Sequence, residues 1–339
     1  MPASSGAGPV LRLAPGAPGG AGTVTVIICA YTLDRWECIE RAVASVRGQT
    51  RPAAQIVLAV DHNAELSARA RAALPGVDVV DSAGPKGMCG ARNAGLERAT
   101  GEFVAFLDDD AWAEPAWLAE LLAPFAAADV VATGGWAAGA WSEGRPRWFP
   151  REFDWVVGCS HAGLPTARTA VRNVIGCNMA FRRDAFRVVG GFRSELSRHR
   201  LPTGCDETEL CIRIAGALPG TRIVLAPTAV VTQDVPTARA NAGYFVRRCF
   251  GEGLSKSTVA RLVGATNALS SERAYTFRVL PAAAARGVGD ALQGDVTGLG
   301  RCLALITGLA VTAAGYLVGT VVRRRSPRDA QLQASEVAA

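Results

Sequence analysis

The chain has 339 residues, of which 49% are hydrophobic and 19% charged, and its net charge is +6 at pH 7. This composition supplies a folded core for one large or two smaller domains and excludes the disordered and fibrous classes. Residues 301–339 contain five Arg, one Asp and one Glu, which is +3 of the total. The remaining charge forms no basic stripe, so no nucleic-acid partner is expected.

Short β-branched segments alternate with helical patterns from residue 24 onward. Strands are predicted at 24–30, 55–60, 77–81, 102–107 and 130–133, and helices at 34–47, 64–74 and 114–127. This alternation is typical of right-handed βαβ units. The predicted fold class is therefore α/β, with a mostly parallel, Rossmann-like sheet and helices on both faces.

The second half of this region is less regular. Residues 136–169 are rich in Trp, Gly, Pro and Arg and predict a loop-rich segment lining a site. A strand-like run follows at 174–183, and a helix follows that run. No P-loop occurs anywhere, and no G-x-G-x-x-G follows the first strand, which disfavours P-loop and dinucleotide-binding chemistry.

The predicted strand at 102–107 ends in three adjacent acids, Asp108, Asp109 and Asp110. They belong at its carboxyl end, the edge where open α/β sheets bind their ligands. Crowded carboxylates repel one another, and a hard divalent cation with oxygen ligands relieves that repulsion. A solvated acidic turn before a helix is the alternative on position alone.

A second acidic pair, Asp206 and Glu207, lies in the first turn of a predicted helix that has Thr203 or Asp206 as its cap. Leu210 and Ile214 of that helix face the core, and the two acids point away from this apolar stripe. An acid at this position serves either as an N-terminal cap or as a general base.

Residues 302–322 carry no charge and are bounded by Arg301 and by Arg323 to Arg325. As a helix they span about 30 Å, the thickness of a bilayer's hydrocarbon core, and Gly315 and Gly319 have the spacing of a helix-pairing motif. A single crossing from the cytosol would export the three arginines against the positive-inside rule. A hairpin broken near Gly308 or Gly315, or a helix packed on a partner, avoids that conflict.

Five motifs, in order, resemble those of family 2 glycosyltransferases with the GT-A fold over roughly residues 24–235. They are VIICAY at 26–31, AVD at 59–61, GARNAG at 90–95, LDDD at 107–110 and DETELCIR at 206–213. With the composition of the flanks, this predicts a flexible tail (1–22), a GT-A domain (23–235), a helical extension (236–300), a membrane segment (301–325) and a second tail (326–339).

The resemblance implies roles for individual residues. It assigns donor binding to Ala30, Tyr31, Asp61, Arg92, Asp108 and Asp109. It assigns a Mg²⁺ or Mn²⁺ ion to Asp110 and Asp108, where the cation also contacts the donor diphosphate. The catalytic base is Glu207 or Asp206.

Two positions depart from the family pattern. The order Asp206-Glu207 reverses the usual Glu-Asp, and the register from Leu210 and Arg213 places the base at Glu207, with Asp206 as the open alternative. Many members have a histidine after a Val-rich strand, where this chain has Gln233.

The resemblance implies an inverting, metal-dependent transferase that moves a sugar from a nucleoside-diphosphate sugar to a lipid-linked or glycan acceptor. The sequence of residues 206–213 is also similar to that of glucosyl-dolichyl-phosphate glucuronosyltransferases. This resemblance implies a UDP-sugar donor, such as UDP-glucuronate, and a polyprenyl-linked acceptor. Arg92, Arg182 or Arg183 would then pair with a donor carboxylate, although phosphate contacts or surface exposure explain them equally well.

Two alternatives belong to other classes: a non-catalytic, membrane-tethered sugar-binding or scaffold protein, and a nucleotidyltransferase. The latter normally has a Gly-rich, basic loop after the first strand, where this chain offers only Arg35. The expected location is the membrane, with the catalytic domain in the cytoplasm, because nucleotide sugars are cytosolic. Nine cysteines without a C-x-x-C pair fit reduced thiols there, and a homo-oligomer is compatible with the sequence.

Overall fold

The computed structural model describes residues 22–197, 204–264, 272 and 274–323. Its strands are β1 (Val24–Ala30), β2 (Gln55–Val60), β3 (Asp78–Asp81), β4 (Phe103–Asp108), β5 (Ala111–Ala113), β6 (Val130–Trp141), β7 (Thr169–Val171), β8 (Asn178–Arg182) and β9 (Arg222–Val235). Its α-helices are α1 (Trp36–Arg47), α2 (Ala64–Ala73), α3 (Met88–Arg98), α4 (Trp117–Leu122), α5 (Arg183–Val189), α6 (Asp206–Ala217), α7 (Ala242–Val263), α8 (Leu280–Leu292) and α9 (Thr297–Arg323). The second predicted tail lies outside the described residues, and so does the first predicted tail except for residue 22. Thr203, one of the two predicted helix caps, also lies outside them.

The strands form one sheet in the order β3-β2-β1-β4-β8-β6-β9-β5, with β7 paired to β9. The first four strands are parallel neighbours, as predicted from the βαβ pattern. The other half is mixed, because β8 runs antiparallel to both β4 and β6, whereas β6 and β9 are parallel. The carboxyl ends of β1, β2 and β4 therefore meet at one edge.

Helices cover both faces of the sheet, in agreement with the predicted α/β architecture. One core lies between the sheet and α1, α2 and α4, where Ile28, Ile39 and Leu118 are fully buried. The other lies between the opposite face and α3, α5 and α6, with Ile27 and Leu210 in its interior. Adjacent residues of β1 enter different cores because successive side chains of a strand point to opposite faces.

β6 continues to Trp141, although an irregular segment is predicted from residue 136. The glycines that favoured a loop instead permit a close approach of two strands. A Cβ at Gly135 would lie 2.0 Å from the carbonyl oxygen of Ala229 at the start of the second half of β9. The pairing also shifts register between Gly134 and Trp136, a β-bulge that carries the strand past this crowded point.

The sheet ends at Val235, and the secondary-structure elements described after it are helices. α9 packs along α7 through small residues: a Cβ at Gly315 would lie 2.2 Å from the Phe250 carbonyl, and one at Gly319 would lie 2.1 Å from Ser257 Oγ. The helix pairing predicted from these glycines is therefore made within the chain. The stretch Thr297–Val321 is long and apolar enough to cross a membrane. Its placement in a membrane stays a prediction. The division of the chain into domains also stays a prediction.

Candidate active site

Three parallel strands deliver polar residues to the same edge of the sheet. Ala30 ends β1 opposite Val60 of β2, and Asp61 follows directly. Asp108 ends β4 opposite Cys29 of β1. The register places these strand ends side by side, as expected for residues that follow neighbouring parallel strands.

A cavity of about 1350 Å³ extends from this edge to the start of α6 and on to the C-terminal helices. Its volume exceeds the common range of small-molecule pockets, roughly 300–1000 Å³. Seven of the nine predicted site residues line it: Ala30, Tyr31, Asp61, Arg92, Asp108, Asp206 and Glu207. The structure thus brings together residues that lie 177 positions apart in the sequence.

The strand-end side of the cavity is built around Asp61. Its Oδ2 accepts a hydrogen bond from the backbone N–H of Gly87, at the start of α3, over 2.9 Å. Its Oδ1 lies 2.8 Å from Nδ1 of His62. Tyr31 is half exposed, and the Arg35 guanidinium lies 5.1 Å from its ring centroid. This wall offers an exposed aromatic face beside a fixed carboxylate.

Two arginines partly neutralise the acidic turn after β4. Arg35 Nη1 lies 2.7 Å from Asp109 Oδ1 and 3.1 Å from Asp110 Oδ2. Arg239 Nη2 donates a hydrogen bond to Asp110 Oδ2 at 2.8 Å. Asp109 and Asp110 are buried behind these side chains and do not line the cavity, whereas Asp108 does.

The arginines do not remove the electrostatic cost of the turn. Burial, with repulsion from Asp110, raises the pKa of Asp109 to about 7 despite the ion pair with Arg35. Burial also raises the pKa of Asp108 above its usual range, and the Asp110 carboxylate adds to that shift. Carboxylates held in this state are stabilised by an additional cation.

The donor atoms of the turn fit a hard divalent cation. Asp109 Oδ2 and Gln233 Oε1 are buried oxygens without a hydrogen-bond partner in the described part of the chain, and Gln233 Nε2 donates to Asp110 Oδ1 at 2.5 Å. No cluster of three His, Cys, Asp or Glu side chains is arranged to hold a metal among these residues. Mg²⁺ is commonly bound by one or two carboxylates plus substrate phosphates, so this set suits an ion that binds together with a phosphate ligand.

Arg92 on α3 connects the acidic turn with the start of α6. Its Nη1 donates a hydrogen bond to Asp206 Oδ2, and its Nη2 donates to the Gly176 carbonyl at 3.1 Å and lies 3.6 Å from Asp108 Oδ1. Arg92 and Asp206 are both buried. The helical pattern did not predict this burial, which arises because a side chain from another helix covers Asp206.

Glu207 is the second carboxylate that lines the cavity at the helix start. Thr208 Oγ1 donates a hydrogen bond to Glu207 Oε1 at 3.4 Å. Burial raises the pKa of Glu207 to about 8, and repulsion from Asp206 adds to the shift. A carboxylate with a pKa near neutrality is well matched to accepting a proton in catalysis.

Sequence reasoning missed Arg35, Arg239 and Gln233 as neighbours of the acidic turn. The sequence did mark Gln233 as unusual, because it stands where the family pattern has a histidine. In the structure, the pairing of β5 with β9 places Gln233 opposite Ala111. Arg35 follows the first strand closely, as nucleotide-loop residues do. Arg239 left no signal, because its contact with Asp110 spans 129 residues.

Two other candidates lie away from the cavity. Arg182, the last residue of β8, is buried and donates to the Val130 and Phe125 carbonyls. Arg183 donates to the Ala99 carbonyl at 3.3 Å. Of the three arginines considered for a donor carboxylate, Arg92 is the one that lines the cavity.

Comparison with known proteins identifies the family. Residues 25–190 match the model of glycosyl transferase family 2. A glucosyl-dolichyl phosphate glucuronosyltransferase of Haloferax volcanii is 34% identical over 238 residues, which cover 69% of this chain and 76% of that protein. The chain belongs to family 2 of the glycosyltransferases. It is also 30% identical to the succinoglycan biosynthesis protein ExoM of Rhizobium meliloti over 237 residues, 68% of this chain and 72% of ExoM.

Membership of this family makes the protein a glycosyltransferase and decides against both alternative classes, the scaffold protein and the nucleotidyltransferase. Among solved structures, the mannosyltransferase PcManGT of Pyrobaculum calidifontis, in complex with GDP-Man and Mn²⁺, has a TM-score of 0.56. The match covers 89% of each chain at 20% identity. It confirms the predicted GT-A fold.

Proposed function

We propose that this glycosyltransferase is a metal-dependent, inverting enzyme that moves a sugar from a nucleoside-diphosphate sugar to a lipid-linked or glycan acceptor. The observation that carries the proposal is the placement of Asp108 and Glu207 on one cavity, with Arg92 between them. Asp108 acts on the side of the diphosphate leaving group, and Glu207 acts on the side of the acceptor hydroxyl.

The donor side follows from the strand ends. Tyr31 and Asp61 flank the nucleobase and ribose, and Ala30 leaves room for them at the end of β1. Asp108 and Asp110 would hold Mg²⁺ or Mn²⁺, which neutralises the negative charge that grows on the departing diphosphate. Asp109 keeps Arg35 next to this charge, and the Gln233 side chain fixes the Asp110 carboxylate.

The acceptor side follows from α6. As the acceptor oxygen attacks the anomeric carbon, the bond from that carbon to the diphosphate oxygen breaks, and the hydroxyl proton passes to Glu207. This single displacement inverts the anomeric configuration. Asp206 is a less suitable base, because its Oδ2 is engaged by Arg92. Its role is to hold Arg92 beside Asp108.

The similarity to the Haloferax volcanii enzyme favours a UDP-sugar donor, with UDP-glucuronate as the first candidate, and a polyprenyl-linked acceptor. The long apolar α9 favours association with a membrane on its cytoplasmic side, where nucleotide sugars occur. Formation of a homo-oligomer stays a prediction.

A donor screen tests the proposal. Purified protein with Mn²⁺ or Mg²⁺ is incubated with UDP-, GDP- and dTDP-sugars, and nucleotide release is measured with and without EDTA. We expect metal-dependent turnover of one donor class and a loss of roughly 100-fold or more in Asp110→Asn. Glu120→Gln, an acid on α4 that does not line the cavity, is the matched control. Metal-independent turnover, or none with any donor, would contradict the proposal.

A further inference from the structure

Exposed apolar side chains are concentrated in one part of the molecule. Of the fourteen large apolar side chains that are exposed in the described part of the chain, eleven lie between residues 277 and 321. They are Phe277, Val288, Leu292, Val296, Leu299, Leu303, Ile306, Leu309, Leu317, Val318 and Val321. An exposed apolar surface of this extent is typical of a site that binds a membrane or a protein partner.

On α9 the exposed side chains follow the period of a helix. The exposed positions 299, 303, 306, 310, 313, 317 and 321 are three or four residues apart and are all apolar. The stripe that they form is about 33 Å long at a rise of 1.5 Å per residue. We call this stripe of seven residues the docking face.

The opposite side of α9 is packed on the rest of the protein along most of its length. Near its start, a Cβ at Gly298 would lie 2.1 Å from a backbone oxygen of α8. In its middle, one at Gly308 would lie 2.3 Å from the Phe153 ring, and near its end, one at Gly319 would lie 2.1 Å from Ser257 Oγ of α7. α9 is therefore held side-on, and the docking face is the side left uncovered.

This packing conflicts with a crossing of the bilayer. Phe153 belongs to the segment of the catalytic domain between β6 and β7, and α7, which runs beside α9, carries the exposed residues Arg247 and Arg261. If α9 spanned the membrane, these charges and part of the catalytic domain would enter hydrocarbon, where charges are strongly disfavoured. A helix that lies parallel to the membrane surface immerses only one face, as interfacial helices do.

The charges near the docking face match an anionic bilayer better than a second copy of the chain. Residues 274–323 contain four Arg, two Asp and neither Lys nor Glu, which is a net charge of +2. Both acids, Asp290 and Asp295, are ion-paired with Arg301. Arg278, in the helical turn that precedes α8, is exposed. Basic side chains beside an apolar helix face attract anionic lipid headgroups, whereas two such surfaces facing each other would repel.

We propose that α9 docks in the plane of an anionic lipid bilayer, with the docking face immersed and both helix ends on the cytoplasmic side. The inference rests on the membrane association in the proposed function and makes it specific, but it requires no particular donor or acceptor. It removes the charge conflict of a single crossing, because Arg323 to Arg325 then stay on the cytoplasmic side. Leu317 of the docking face also lines the active-site cavity, so the cavity opens beside the bilayer surface.

Tags at both ends of the full chain test the orientation of α9. The protein is produced with different tags at its N and C termini, and sealed membrane vesicles with the cytoplasmic face outward are treated with protease. We expect both tags to be cut without detergent, while a marker protein inside the vesicles stays intact. A C-terminal tag that is cut only after detergent is added would show that α9 crosses the bilayer and would overturn the proposal.

Flotation with vesicles of phosphatidylcholine and phosphatidylglycerol tests the docking face. Leu303 is 66% exposed on this face and does not line the active-site cavity. Leu303→Glu should lower the partition coefficient of the full chain about tenfold. Ala72→Glu, which adds the same charge at an exposed position of α2, is the matched control and should lower it less than about twofold.

The same assay tests the contribution of charge. Arg278→Gln should weaken binding to the anionic vesicles about fivefold, since one cation near the surface is lost. Binding to vesicles of phosphatidylcholine alone should not change. An equal loss on both kinds of vesicle would show that Arg278 does not contact anionic headgroups and would overturn the anionic part of the proposal.

The remaining outcomes separate the docking face from the proposed function. Equal binding of Leu303→Glu and Ala72→Glu would overturn the inference, and so would a wild-type dimer that Leu303→Glu dissociates without a change in vesicle binding. No flotation of the wild type would overturn membrane association as a whole. Donor turnover in detergent should be the same in Leu303→Glu and the wild type, which shows that the variant is folded. Absence of turnover in both would overturn the proposed function and leave the docking result standing.

Discussion

Arg92 on α3 donates a hydrogen bond to Asp206 at the start of α6, and both of these buried side chains line the cavity. This ion pair joins α3 to α6, the helix that carries the proposed base. It also gives the two neighbouring acids different roles. Asp206 is paired with Arg92, and Glu207, which also lines the cavity, is the proposed base.

Loss of the Asp206 charge should destabilise the protein. In Asp206→Asn the buried Arg92 guanidinium keeps its charge but loses its closest carboxylate, at a cost of about 2–4 kcal/mol in the free energy of unfolding. Denaturant unfolding monitored by circular dichroism measures this difference. Asp184→Asn, whose side chain is 43% exposed in its pair with Arg187, should change stability by less than about 0.5 kcal/mol.

Glu207→Gln should have the opposite effect on stability and abolish transfer. The native state raises the pKa of Glu207 from 4.5 to about 8, so it binds the proton more tightly than the unfolded chain. The glutamate therefore lowers stability as pH rises from about 4.5 to about 8. At pH 8 the glutamine variant should be more stable by about 1–2 kcal/mol, with sugar transfer reduced roughly 1000-fold. Equal stability of the two proteins at pH 8, or retained transfer, would count against this role of Glu207.

The transfer rate should depend on pH through the same group. Glu207 accepts a proton only when ionised, so kcat should rise with pH and level off above about 8. Asp206 and Thr208 on α6 and Arg92 on α3 surround this carboxylate, and Arg92 stays charged throughout the range. Initial rates from pH 6 to 9 at saturating donor and metal measure the profile, and a flat profile would show that no such base titrates.

Much of this site could be predicted because it lies at the ends of strands. Asp61 and Asp108 each follow an apolar β-branched run, and parallel pairing alone brings such positions together. Arg239 could not be predicted, because its contact with Asp110 depends on how the segment after β9 packs against the acidic turn. The continuation of β6 to Trp141 was also not predicted. Gly135 is typical of a loop when its close approach to the Ala229 carbonyl is not known.

Gln233 should tune the affinity for the metal. It donates from Nε2 to Asp110, and its Oε1 is a buried oxygen without a partner in the described residues. Gln233→Met keeps the volume but removes both polar atoms, so the Mn²⁺ concentration for half-maximal turnover should rise about tenfold or more. Titration of donor turnover with Mn²⁺ measures this concentration, with Gln293→Met, at the residue that follows α8, as control. An unchanged titration would exclude Gln233 from the metal site.

The contact between α9 and α7 distinguishes two arrangements of α9. In one the helix packs on the catalytic domain, and in the other it crosses a membrane alone. A Cβ at Gly315 would lie 2.2 Å from the Phe250 carbonyl, whereas one at Gly289 on α8 would meet nothing within 4 Å. Gly315→Val should therefore lower the free energy of unfolding by about 2–3 kcal/mol through overpacking, and Gly289→Val should change it by less than about 1 kcal/mol. Thermal unfolding of both variants in mild detergent measures the difference. A Gly315→Val protein as stable as the Gly289→Val control would mean that α9 leaves α7, and the helix would then be free to span the bilayer.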